Sequence, residues 1–303
     1  MHPSKNAILG RDFCGIGADS IAVALAAGLP DGDGQALREV EVAPLTGRDE
    51  QWLNRRRRGW SLPQWVTRLL GEKVIFRGKP LGAEEAARLS VVDRDFLMLQ
   101  LRMLTFGRAI WGITHCPHAA CGAKLDFSFD LSSIKLPSNP VQNRITTWVG
   151  NGDDRVEFSY RQPNGLDQEA IADLVFSDPY SAWLRLLTRC IVGWESTPAV
   201  TAEFLDDLPR ELLGDVDQTM AANTGMLDRD IEFTCAECQR SFVNTLDIQS
   251  YFWQELQYTS GNLWEEVHHL ASFYHWSEAD ILSLTRWKRK LYLEFINRQR
   301  RYQ

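Results

Sequence analysis

The sequence lacks the features that mark several common classes of protein. Its 303 residues include only six cysteines, too few and too unevenly spaced for the disulfide framework of a secreted protein. No apolar run is long enough to span a membrane, and residues 1–5 lead into mixed sequence rather than into a signal peptide. Because Cys14 and Cys190 are also isolated in the sequence, we predict a protein of the reducing cytoplasm.

The sequence also lacks an excess of basic residues and the loops that bind phosphate or calcium. The net charge of −7 argues against nucleic acid, so we assign the run Arg55–Arg58 to a solvated face or a partner contact. Gly15-Ile16-Gly17 lacks the strand and the Gly-Lys of a phosphate loop. The acidic turn from Asp31 has Val42 where a calcium loop needs glutamate. We predict no nucleic acid, no membrane and no small-molecule ligand.

Two stretches of the chain, His115–Leu131 and Phe233–Asp247, are near copies of each other. Each has two cysteines on a tight turn, a polar connector and an alternating apolar strand that ends at an aspartate. A zinc ribbon is built from two such turns, whose four thiolates close a tetrahedral site. The spacings C-x4-C and C-x2-C predict one zinc site with these ligands: Cys116, Cys121, Cys235 and Cys238.

Two alternatives to this zinc site stay open at the level of sequence. The four cysteines can be buried or free thiols, and His115 or His118 can replace one sulfur ligand. A catalytic zinc needs an open position and a nearby base, and neither turn supplies a convincing base. We therefore predict a structural Zn²⁺ ion and no catalytic residue.

The periodicity of the chain predicts mainly helices. Before the first cysteine pair we expect a helix over Ala18–Gly28, strands over Arg38–Val42 and Lys73–Phe76, and helices that begin after Thr46, Ser61 and Ser90. Between the pairs, Ile145–Val149 and Val156–Tyr160 form a hairpin, followed by helices to about Phe176, over Tyr180–Val192 and near Asp207–Ala222. The chain after the second pair is helical.

In the last helix we expect an apolar face that packs inward, formed by Leu284, Trp287, Leu291 and Phe295. Its basic residues suit the helix dipole or an acidic partner and should lie on the opposite face, namely Lys288, Arg289, Lys290, Arg298, Arg300 and Arg301. His268, His269 and His275 are expected at the surface or in an interface, because two of them are adjacent and face different ways.

These elements predict an α+β fold that is mainly helical. It contains a zinc-ribbon-like β unit formed by the two distant cysteine turns, with a hairpin-and-helix insertion between them. The expected regions are an N-terminal extension (1–44), a helical region (45–113), a discontinuous zinc ribbon (114–135 and 227–247), the insertion (136–226) and a C-terminal helical region (248–303). No nucleophile with its base, carboxylate pair or phosphate cradle appears, so we expect no enzyme activity.

Five segments resemble one known family. They are Leu45–Glu50 (Leu-Thr-Gly-Arg-Asp-Glu), Tyr160–Asp167 (Tyr-Arg-x-Pro-x-Gly-x-Asp), Asp247–Glu255 (Asp-Ile-x-Ser-Tyr-Phe-Trp-x-Glu), Glu266–Ala271 and Tyr274–Leu293. Together with the two cysteine turns, they look like the baseplate hub assembly chaperones, or baseplate proteins, of T-even-type phages, with relatives in contractile tails and phage-tail-like contractile injection systems. The first turn departs from the Cys-Pro-x-Cys expected of the family.

This resemblance implies a role in building the hub of a baseplate. Baseplate hub proteins, and tape-measure proteins as a further possibility, are the implied partners. We expect an assembly chaperone in the cytoplasm of the producing bacterial cell. The alternatives are a permanent structural component incorporated in the tail particle and, more remotely, a zinc-dependent hydrolase.

Overall fold

The computed structural model of the protein describes residues 20–30, 36–55, 59–137, 141–150, 155–195, 197 and 199–301. Cys14, Gly15–Gly17, the acidic turn after Asp31 and Arg56–Arg58 lie outside the described residues. The helices are α1 Gly47–Arg55, α2 Leu62–Lys73, α3 Ala83–Arg88, α4 Val91–Phe106, α5 Gly165–Ile171, α6 Pro179–Cys190, α7 Ala202–Asp206, α8 Arg210–Asn223, α9 Ile248–Thr259, α10 Leu263–Tyr274, α11 Glu278–Ser283 and α12 Arg286–Arg301.

The strands form four separate antiparallel sheets. These are β1 Ile21–Pro30 with β2 Ala36–Val42, β3 Val74–Phe76 and β4 Lys79–Pro80; β5 Ala109–His115 with β6 Lys124–Asp130; β7 Arg144–Val149 with β8 Val156–Arg161 and β9 Ile191–Trp194; and β10 Asp230–Thr234 with β11 Ser241–Thr245. Because the described residues combine helices with antiparallel sheets, the structure is consistent with the predicted α+β class.

Helix α4 lies at the centre of the largest core. Its N-cap Ser90 accepts a hydrogen bond from the backbone N–H of Asp93, as the capping pattern predicts. The helix packs against α2, α9 and β1, and its buried face includes Leu97, Met98 and Leu101. Residues of α1, α2, α9 and the four-stranded sheet complete this core. One hydrophobic core therefore joins segments that are far apart in the chain.

The helix predicted over Ala18–Gly28 is wrong, because Ile21–Pro30 forms β1. The fully buried carboxylate of Asp93 accepts hydrogen bonds from the backbone N–H groups of Ala26 (2.6 Å), Ala27 and Gly28 (3.0 Å). These donors belong to the irregular part of the β1–β2 ladder, between Ala24 and Leu29. A tertiary contact thus satisfies the donors that a helix would have paired internally.

The insertion has its own sheet and core. The predicted hairpin is confirmed as β7 and β8, but the helix predicted over Tyr180–Val192 ends at Cys190, and β9 pairs with β8. Phe158 contacts both Tyr160 and Trp194, so the aromatic rings of β8 and β9 form the centre of this core. The third predicted helix, near Asp207–Ala222, is α8, and the short helix α7 precedes it.

The buried face of the last helix differs from the predicted one. Arg289 is fully buried and donates to Glu50 of α1 (2.7 Å) and to Glu266 of α10 (2.9 Å). Phe295, expected inside, is 43% exposed. The prediction was wrong because apolar periodicity does not account for an arginine that two buried carboxylates pair with. His268, His269 and His275 are exposed, as predicted.

Helices α4 and α9 bring the two distant hairpins together. Only Gly107 and Arg108 separate α4 from β5, and only Leu246 and Asp247 separate β11 from α9. Two polar contacts join these helices, a partly buried one from Arg102 to Glu255 (2.7 Å) and a buried one from Gln249 to Asp95 (2.7 Å). Each hairpin is therefore held close to the other by a short connection to a packed helix pair.

Candidate metal centre

The first cysteine pair lies in the loop that joins β5 to β6. The N–H of Cys116 donates to the carbonyl of Ala123 (2.8 Å) and closes the loop. The N–H of Cys121 donates to the carbonyl of His118 (2.8 Å), which turns the chain back on itself. Gly122 follows with a φ of 59°, a left-handed conformation that glycine adopts without strain. This loop directs both thiols to one side.

The second pair repeats this geometry between β10 and β11. The N–H of Cys235 donates to the carbonyl of Arg240 (3.0 Å), and the carbonyl of Cys235 accepts from Gln239 (2.9 Å). Gln239 occupies the position that matches Gly122, and its φ is also 59°. The residue after each second cysteine is therefore part of the turn. The sequence analysis missed this role, although the matching position in the two copies is its signal.

The structure brings the four predicted cysteines into one cluster. The Sγ atoms of Cys116 and Cys238 are 3.7 Å apart, and those of Cys121 and Cys235 are 3.6 Å apart. All four sulfurs lie within 4.8 Å of one another. Zinc–sulfur bonds of about 2.3 Å in a tetrahedron require sulfur separations of about 3.8 Å. The cluster therefore has the dimensions of a four-thiolate zinc site, whereas a disulfide needs sulfurs about 2.0 Å apart.

The thiols differ in how readily they ionise. Hydrogen bonds from the backbone N–H groups of Cys238 and Glu237 lower the pKa of Cys235 to about 7. Burial raises the pKa of Cys116 to about 12. The protein alone therefore does not favour four thiolates at neutral pH. A bound dication would supply the positive charge that stabilises four thiolates.

Aromatic and polar contacts hold the two hairpins around the cluster. Phe127 of β6 packs edge to face against Phe233 of β10, with ring centroids 5.2 Å apart, and Phe233 stacks on Phe242 of β11. The side chain of Asn244 donates to the hydroxyl of Thr114 (2.6 Å). Phe233 and Phe242 pack with the four cysteines, Ala123 and Leu125 in a small core.

The histidines considered as replacement ligands do not belong to the cluster. The group of possible metal ligands found among the described residues consists of the four cysteines, without His115 or His118. Four thiolates fill a tetrahedral shell and leave no open position for substrate or water. The four cysteines could therefore bind one ion and so link the two hairpins.

The comparison with known families accounts for most of the chain. The family described as T4 bacteriophage base plate protein matches residues 38–253, a range that contains both cysteine pairs. The chain belongs to this family. Membership supports a structural role in a phage baseplate and interaction with other baseplate components. The matched range ends within α9, so α10–α12 lie beyond it.

Neither the curated proteins nor the solved structures contain a match to the chain. Among the described residues, no helix has the length and apolar character needed to cross a membrane.

Proposed function

We propose that the chain is a non-enzymatic structural component of the baseplate hub whose ribbon is clamped by Zn²⁺. The observation that supports this most strongly is the four-sulfur cluster, which lies inside the range matched by the baseplate family. Cys116, Cys121, Cys235 and Cys238 would hold the ion. Bound zinc would contribute folding free energy by linking two hairpins whose own cores are small.

Exposed apolar side chains on the ribbon support a role in protein contacts. Trp111 is 66% exposed and Ile113 is 53% exposed, and both lie on the outer face of β5. The cross-strand neighbours of these two residues are Ser128 and Asp126, so the apolar pair has polar residues beside it. An apolar patch with a polar border is typical of a protein–protein interface. Baseplate hub proteins, and tape-measure proteins as a second choice, are the proposed partners.

A second candidate function is that of an assembly chaperone that leaves before the particle is complete. The sequence resemblance to hub assembly chaperones favours it. The family description, which names a base plate protein, favours the permanent component. The chaperone would stay in the cytoplasm of the producing cell, whereas the permanent component would be found in the tail particle.

Quantitative mass spectrometry of purified particles distinguishes these two functions. A permanent component is present in a fixed ratio to the other baseplate proteins, whether particles are taken early or late in assembly. A chaperone is present in assembly intermediates and depleted from mature particles. Depletion from mature particles would contradict our first proposal and support the second.

The remote alternative of a zinc-dependent hydrolase requires an open metal position. Four cysteine ligands would leave none, which is why we propose a structural ion. An assay of the zinc-loaded protein on peptidoglycan tests this point. Hydrolysis that is lost on substituting an acidic residue outside the four cysteines would contradict the structural proposal.

A further inference from the structure

A groove of about 800 Å³ lies where the helical body, the insertion and the ribbon meet. Its apolar lining comes from α2, α4, α5 and the turn after α5: Leu62, Pro63, Val91, Ile171, Val175 and Phe176. Phe176 is 95% exposed, although its ring lines a groove rather than a convex surface. An apolar concave surface of this size fits a few side chains of one partner helix.

The charged groups of the groove are mostly acidic. Asp95 is paired with Arg229 (2.9 Å), so these two charges offset each other. Asp173 and Asp247 are exposed, and within the described residues neither forms an ion pair with a basic side chain. An occupant with apolar side chains and nearby cations would therefore complement the groove.

The outward face of α12 has these properties. Leu291 is half-buried and Phe295 is exposed, and one turn further along Arg298 is exposed. At 100° per residue, these three side chains share one side of the helix, while Ile296 and Arg289 point to the core on the other side. The helix thus presents an apolar stripe followed by a cation.

We propose that the groove binds the outward face of α12 from a second copy of the chain. The apolar side chains Leu291 and Phe295 would enter the groove beside Phe176, and Arg298 would pair with Asp173 or Asp247. The two surfaces differ, so the contact is head-to-tail and can repeat to form a ring or an open chain. A single helix in one groove is a small interface, so we expect association at micromolar concentration.

The test uses the full-length protein and two exposed substitutions. Phe176→Ser changes only the groove, and Arg298→Glu changes only the helix. Sedimentation velocity over a range of concentrations should show that each variant weakens self-association by about tenfold or more. Two controls are matched in chemistry. Tyr258→Ser changes an aromatic ring that is 90% exposed and lies outside the groove, and Arg300→Glu changes a cation on another side of α12.

Mixing the variants gives a sharper result. Phe176→Ser keeps an intact helix and Arg298→Glu keeps an intact groove, so an equimolar mixture should form one-to-one dimers and nothing larger. The wild-type chain should form larger species, and both controls should behave like it. A monomeric wild-type chain, self-association unaffected by either variant, or a mixture that remains monomeric would each overturn the proposal. None of these variants changes a cysteine of the proposed metal site.

Discussion

At the scale of single residues, Glu50 links α1 to α12, two helices that are far apart in the sequence. Its carboxylate accepts hydrogen bonds from Arg286 (2.8 Å) and Arg289 (2.7 Å) of α12. Arg289 also donates to Glu266, so the guanidinium group is shared by two carboxylates. Burial opposes ionisation, but the two carboxylates outweigh it and raise the pKa of Arg289. The buried charges are therefore stable only as a group.

The substitution Arg289→Met should destabilise the protein by about 3 to 5 kcal/mol, because it removes the arginine partner of Glu266 and leaves Glu50 paired with Arg286 alone. Arg300→Met on the same helix removes an exposed cation and should change the free energy of unfolding by less than about 0.5 kcal/mol. Urea titration of both variants measures the difference. Equal effects would contradict the buried network.

At the scale of elements, the segments that carry the family resemblance form joints between helices and strands. Leu45–Glu50 provides the cap of α1 and the carboxylate that α12 pairs with. Tyr160–Asp167 links the insertion to the body, because the carbonyl of Pro163 accepts from the N–H of Val91 (3.0 Å) and the N–H of Gly165 donates to the carbonyl of Leu89 (3.2 Å). Asp247–Glu255 caps α9 and pairs with Arg102. The residues that carry the family resemblance thus make the contacts that hold these helices and strands in place.

Gly165 provides the closest approach at the joint between insertion and body. A Cβ atom there would lie 2.3 Å from Nη1 of the buried Arg94 and 2.8 Å from the carbonyl of Ala87. We expect Gly165→Ala to cost about 1 to 3 kcal/mol, because the guanidinium group and the backbone would have to move. Thermal unfolding of the variant measures this cost.

Gly214→Ala is the matched control, because Gly214 lies inside α8 with no atom within 4 Å of its added Cβ. That substitution should stabilise the protein by up to about 1 kcal/mol through helix propensity. Destabilisation by both changes would show that the close contact at Gly165 is not the cause.

Asp167 makes the joint sensitive to acid. Its burial alone would raise the pKa, but hydrogen bonds from Arg161 and the N–H of Asn164 outweigh burial and lower the pKa of the carboxyl group. A lowered pKa contributes stability above the unfolded value of about 4 and loses it as the pH falls through the folded value. Asp167→Asn should therefore cost about 2 to 4 kcal/mol at neutral pH.

The same substitution should cost less as the pH falls below about 4, where the unfolded wild-type chain takes up a proton at Asp167. It should cost least below the lowered pKa of the folded protein, where the native carboxyl group is protonated as well. Urea titrations at neutral and acidic pH measure this convergence. A cost that does not change with pH would mean that the charge of Asp167 has no part in it.

At the scale of the whole molecule, the sequence predicted the parts of the fold with local signals. The capping pattern at Ser90 and the β7–β8 hairpin are examples, and the repeated turns indicated the cluster of four cysteines. Long-range contacts have no local signal. Asp93 lies 65 positions from Gly28, whose N–H it accepts, and Glu50 lies 239 positions from Arg289, so periodicity does not encode these contacts.

The same limit applies to how the insertion is attached. Strand β9 follows α6 directly, with no turn residue between them. It forms because Ile191–Trp194 pairs with β8 and adds a third strand to that sheet. The periodicity of an apolar segment this short is compatible with the end of a helix, so only the pairing partner distinguishes the two states.

The metal content of the purified protein shows directly whether the four cysteines hold zinc. Elemental analysis should find one zinc ion per chain in the wild-type protein and in Cys190→Ser, which removes a buried thiol outside the cluster. The double substitution Cys235→Ser and Cys238→Ser should abolish binding and lower the unfolding temperature. A wild-type protein that holds no zinc, even after refolding with it, and that melts at the same temperature as the double variant would contradict the account.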